Sequence, residues 1–136
     1  MTKILFAILA VVLLISFTAG CGIDEEEPGI SHIDWNDHEL RAEQFVNALL
    51  NGDYTIAAEN FNEEMKKALD INALRRNWLN TVRVAGEFIS IEGTETFMHE
   101  GYEINDVVML HKNRSINTRV VFSSDGLVAG LFFSFI

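Results

Sequence analysis

At Gly86 the hydrophobic period of this chain changes, and that change limits the fold more than any other feature. Before it, apolar residues recur every three or four positions; after it, they alternate. From Asn36 to Leu50, the residues Leu40, Ala42, Phe45, Val46, Leu49 and Leu50 mark one face of a helix. Asp34, Asn36 and Asp37 offer N-caps to it, and Asn51-Gly52 offers a left-handed stop. A second short helix over Asp53–Phe61 buries Ile56, Ala57 and Phe61. Asn62 can cap a third turn, with Glu63 and Glu64 at its positive end and Lys66 and Lys67 at its negative end. Asp70 opens a fourth segment whose Leu74, Trp78 and Val82 fall on one face.

The alternating half reads as four strands: Glu87–Phe97, Tyr102–His111, Ser115–Ser123 and Leu127–Ile136. Tight-turn residues separate them, at His99-Glu100-Gly101, Lys112-Asn113-Arg114 and Ser124-Asp125-Gly126. A helical block followed by a strand meander predicts an α+β fold, with N-terminal helices packed on a strongly curved four-stranded antiparallel sheet. Long strands twist, and Gly93 within the first predicts a bulge that sharpens the curl. The expected shape is a cone, cystatin-like, formed by residues 36–136 as a single domain.

The N-terminus predicts a location. Lys3 precedes the apolar run Ile4–Ile15, then Ser16, Phe17, Thr18, Ala19, Gly20 and Cys21, the sole cysteine. A basic start, a short apolar core and small residues before a cut site make an export signal. Because it ends on cysteine, the pattern resembles a prokaryotic lipoprotein signal over residues 1–20, with Cys21 lipidated. An uncleaved anchor helix is the other reading. Both place the domain outside the cytoplasm, in the cell envelope and held to the membrane. Two acyl chains hold such an anchor stably. Residues 21–35 then form an acidic, flexible tether, in which Asp24-Glu25-Glu26-Glu27 and Pro28-Gly29 disfavour packing.

Loss of residues 1–20 leaves 116 residues, and removal of Lys3 moves the net charge from −10 to −11. So acidic a balance argues against nucleic acid and against the anionic membrane surface as partners, because both repel it. With Cys21 consumed, no thiol remains for disulfides, catalysis or metal binding.

A family resemblance rests on particular residues. Phe45-Val46-Asn47-Ala48-Leu49-Leu50-Asn51-Gly52-Asp53-Tyr54, Phe61-Asn62-Glu63-Glu64-Met65, Ala68-Leu69, Leu74, Trp78 and Gly86 begin the pattern. Gly101-Tyr102, Arg119-Val120-Val121-Phe122, Asp125-Gly126 and Ala129-Gly130-Leu131-Phe132-Phe133 complete it. Together they resemble the domain of unknown function 3887. The resemblance implies a cone like that of nuclear transport factor two and ketosteroid isomerase. It brings no assigned activity and no catalytic residues. Relatives often precede an α/β-hydrolase domain, but this chain has no Gly-x-Ser-x-Gly elbow.

Among residues that can carry chemistry, Asp106 stands out. It shares strand parity with Tyr102, Ile104, Val108 and Leu110, which places a carboxylate among core-facing residues. In an apolar cavity its pKa is raised and it can act as a base, with Trp78 and Tyr102 lining the pocket. Alternatively the open end of the cone exposes it, or Arg119 satisfies it, and the two aromatics seal the core. The histidines His32, His38, His99 and His111 are scattered and predict no metal site, and no cofactor motif is present. Arg75, Arg76 and Arg83 give the fourth helix a positive face, for an anion or for neighbouring acids such as Glu87.

The last strand is apolar on both sides. Leu127, Ala129, Leu131, Phe133 and Phe135 point one way, and Val128, Phe132 and Ile136 the other. Helices cover one sheet face only, so the second needs a partner: another copy, a different protein or a small apolar ligand. The expected function is therefore a membrane-tethered, non-enzymatic binding domain that dimerises through its sheet. The alternatives are a small isomerase or dehydratase using Asp106, or an accessory module to a separately encoded hydrolase.

Overall fold

The computed structural model describes residues 32–136. Four helices come first: α1 Arg41–Asn51, α2 Tyr54–Ala58, α3 Glu63–Ala68 and α4 Ile71–Ala85. Four strands follow, β1 Phe88–His99, β2 Tyr102–His111, β3 Ile116–Phe122 and β4 Val128–Phe135, in one antiparallel sheet of order β1-β2-β3-β4. The sheet curls without closing and the helices pack on one side of it, giving the expected α+β class. The expected signal segment, Cys21 and most of the expected tether lie outside the described residues.

Local chemistry sets the helix ends. Asn62 Oδ1 accepts from the Met65 N–H and Asp70 Oδ1 from the Ala73 N–H, each at 2.8 Å. Gly52 takes φ 80° and sends its N–H back to the last turn of α1. Helix α1 begins at Arg41 rather than near Asn36, because the Asp34 and Asp37 carboxylates accept from Asn36, Glu39 and Leu40 in turns that precede it. That segment is packed: Ile33 is fully buried, and Trp35 meets the Phe122 ring edge-on at 6.4 Å. Residues inside the stretch expected as tether are therefore packed, because the two large apolar side chains Ile33 and Trp35 find the core.

Three register shifts bend the sheet. Two lie in the β1–β2 pairing, at Phe88/Ser90 and Ile91/Gly93, the second beside the glycine expected to make it. The third lies between Val121 and Phe122 in the β3–β4 pairing. It leaves Ala129 without an opposite residue and sets Val128 across from Phe122, so Val128 turns into the core and is fully buried. The expectation that Val128 points outward with Phe132 and Ile136 is corrected by that bulge.

The core closes between Phe45, Val46 and Leu49 of α1, Leu74 and Trp78 of α4, and Val107, Met109, Ile116, Val120, Phe122 and Val128 of the sheet. On β2 the covered side carries Asn105, Val107, Met109 and His111. The set Tyr102, Ile104, Asp106, Val108 and Leu110 consequently takes the opposite face, reversing the parity read from the sequence. The reason is pairing of the polar residues: His111 Nδ1 donates to the Gly86 carbonyl at 2.8 Å, and Asn105 Oδ1 accepts from Thr96 at 2.7 Å.

Candidate functional site

The uncovered sheet face is organised in rows by the strand register. Phe97, Ile104, Val121 and Gly130 stand side by side across the four strands. In the next row stand Glu95, Asp106, Arg119 and Phe132. A side chain on Gly130 would touch the Phe132 ring and Val121, each at 3.3 Å, so the missing Cβ lets Phe132 lean across toward Val121. Even so, Phe132 is 60% exposed and Ile136 is 67% exposed. A shallow depression of about 350 Å³ lies between Asn117, Arg119, Phe132 and Ser134.

Asp106 sits in the middle of this face, not in a cavity. Arg119 grips it with two hydrogen bonds, Nε to Oδ1 at 2.7 Å and Nη2 to Oδ2 at 2.8 Å. Those bonds hold the carboxyl below the usual aspartate range, against a smaller upward push from burial. A raised pKa, which the isomerase reading needs, is thus opposite to what the geometry produces. The Arg119 guanidinium also lies 5.6 Å from the Phe97 ring, so a charged pair is set among apolar neighbours.

The other two pocket candidates lie elsewhere. Trp78 is buried on the covered side, its ring 5.4 Å from Phe133 and 6.5 Å from His111, where it seals the helix–sheet core. Tyr102 is the first residue of β2, paired with His99 beside the turn and half exposed. Trp78, Tyr102 and Asp106 do not meet. Among the described residues, no three His, Cys, Asp or Glu side chains converge as metal ligands.

Residues 42–131 match the family described as "Protein of unknown function (DUF3887)". The chain belongs to that family. No curated protein and no solved structure matches it. The matched span runs from the second residue of α1 into β4, so it takes in both faces of the sheet.

The DUF3887 domain also contains a polar cluster that sequence reasoning missed. Arg41 is 2% exposed, its guanidinium 3.7 Å above the Phe122 ring. Its Nη1 donates to the Trp35 carbonyl and its Nη2 to Glu103 Oε2, both at 3.1 Å. Asn105 donates to the same carboxylate at 3.2 Å, and His38 Nδ1 stands 3.3 Å from its other oxygen. Burial pushes the Glu103 carboxyl up, but hydrogen bonds from Asn105, His38 and Arg41 outweigh it and leave the pKa lowered. The only local sign was an arginine beside Ala42 at the start of an apolar helical face. Its job is structural: it ties the entering chain and α1 to the first residues of β2.

Among the described residues of the DUF3887 domain, a hollow of about 560 Å³, open to solvent, lies where α2, α3 and α4 meet. Phe61, Leu69 and Ile71 give it apolar walls, with Lys66 and Asp70 among its polar lining.

Proposed function

We propose that this protein is a lipid-anchored envelope protein whose domain works by binding, and that it pairs with a second copy through its uncovered sheet face. The observation that carries the reading is the apolar surface on that face, above all Phe132 at 60% exposure. A fold gains nothing from greasy side chains that meet only water, and a patch of this kind ordinarily marks an interface. The ion pair at its centre supports binding over catalysis, since an acid gripped by arginine is a poor base. The anchor rests on Lys3, the apolar run and Cys21.

Sedimentation of the mature chain tests the pairing. A concentration-dependent dimer that Phe132→Glu disperses supports it; a clean monomer at every concentration, binding no apolar dye, removes it. Mass spectrometry of membrane-extracted protein tests the anchor: an acylated Cys21 is expected, and an unmodified chain starting at Met1 is the contrary result. The hollow at the meeting of α2, α3 and α4 favours a second reading, in which the domain holds a small apolar ligand. Native mass spectrometry distinguishes a retained small mass from a second protein chain.

A further inference from the structure

We infer that the outer face of α4, with the β2–β3 turn beside it, docks on an anionic lipid surface. Total charge hides this face, because the net charge of −10 is not evenly spread. Helix α4 contains three arginines and no acidic residue in its fifteen positions. Asn72, Arg76, Leu79 and Arg83 recur at helical spacing on the stripe opposite buried Leu74, Trp78 and Ala85, and Arg75 flanks it. The turn at Lys112-Asn113-Arg114 abuts the last turn of α4, with Asn113 and Arg114 both donating to the Ala85 carbonyl. Lys112 and Arg114 are exposed, so the helix and this turn carry five cations between them, with the Arg114 guanidinium 4.6 Å over the Phe135 ring. Among the described residues none of the five is ion-paired; Arg83 only donates to Asn80.

Acids border this face as well: Asp70 caps the start of α4, and the carbonyl of exposed Glu87 accepts from the Lys112 N–H. Further acids lie apart from it, with Glu92 and Glu95 exposed on β1 and Glu100 in the turn after it, while the Trp78–Phe133 contact sets the middle of α4 over β4. An anionic surface therefore attracts the helix stripe, on which no acid stands, rather than the acid-bearing strand. Leu79 stands in the stripe with the arginines, and Ile71 and Val84 lie to either side of it; each of the three is more than two-fifths exposed. Arginine with interleaved aliphatics is the composition of helices that lie in a lipid interface. An acidic protein partner needs the charges but not that shallow apolar fringe.

The inference is strengthened by the anchor proposed above but does not require it. From a lipidated Cys21, the chain as far as His32 spans ~40 Å at most, which keeps the domain near the bilayer. Weak attraction then suffices, because tethering raises the local concentration. Each cation close to an anionic leaflet shifts the docked-to-undocked ratio roughly fivefold.

The full chain carrying Leu79→Trp reports docking in vesicles of phosphatidylcholine alone and of equal parts phosphatidylcholine and phosphatidylglycerol. Only the anionic vesicles should blue-shift this tryptophan and expose it to brominated-lipid quenching, relative to the parent chain. Raised salt, or Arg76→Gln with Arg83→Gln, should reverse both signals. Equal signals in the two vesicle types, or signals indifferent to the arginines, overturn the inference. So does a charge change that alters oligomeric state without any lipid dependence, which assigns the face to a protein contact. Flotation with neutral vesicles reads the anchor separately: its absence beside an intact anionic shift removes the anchor and leaves the docking surface standing.

Discussion

On the covered face of the sheet, Val107, Met109, Ile116, Val120 and Phe122 lie beneath α1 and α4 and are fully buried. On the other face Phe97, Phe132 and Ile136 keep 40, 60 and 67% of their surface in contact with water. The same strands build both, and each face also holds a charged pair. Arg41–Glu103 is sealed at the rim of the covered side, whereas Arg119–Asp106 lies on the open side with Arg119 40% exposed. Burial on the first face is what the fold needs to exist. The second face holds apolar surface the fold does not use, and that surplus is what the proposed pairing would bury.

The comparison breaks first at Phe122. Its ring packs against Trp35 and carries the Arg41 guanidinium at 3.7 Å, so Phe122→Ala removes a core ring and the seat of a buried cation together. Urea denaturation should show a loss of about 4 kcal/mol. A loss below about 1 kcal/mol would mean that the covered face is no more of a core than the open one.

Glu103→Gln comes next, at about 3 kcal/mol, because it leaves the buried Arg41 charge without its counter-ion. The like change on the open face, Asp106→Asn, should be far milder, about 1 kcal/mol or less, since solvent screens Arg119. The pH dependence follows from the same pair. Asp106 is held below its ordinary pKa, so its stabilising share is present above the unfolded value of ~3.9 and fades as pH falls through the folded one. The gap in stability between the parent and Asp106→Asn should stay level above about pH 5 and close below it. A gap that widens in acid would reverse the sign argued here.

Much of this contrast could be read from the sequence wherever one residue acts on its own neighbours. Asn62, Asp70 and Gly52 end helices through bonds to residues three or four away, and the change of period at Gly86 divides helix from strand. What stayed hidden depends on distant partners. Both parities of β2 carry apolar residues, so its covered side is decided by what satisfies Glu103, Asn105 and His111. Those partners come from Arg41, Thr96 and Gly86, on other elements. The core-facing reading of Asp106 therefore fails, whereas the other reading given for it, that Arg119 satisfies it, holds on the uncovered face. The bulge opposite Val121/Phe122 likewise reverses Val128, with Gly130 the only nearby mark of it.

Phe132→Thr is the smallest expected change in stability and the one that most sharpens the contrast. Threonine brings the β-branched shape that suits a strand, and Phe132, 60% exposed, stands over Gly130 and opposite Arg119 with little packing to lose. At concentrations where the chain is monomeric, unfolding should shift by no more than about 0.5 kcal/mol, as for an ordinary surface site. If copies pair through this face, sedimentation should show dissociation at least about tenfold easier, since an aromatic at the centre of an interface contributes well over 1 kcal/mol. A large stability loss in the monomer would make Phe132 a fold residue after all. The apolar surface of the open face would then need no partner to explain it.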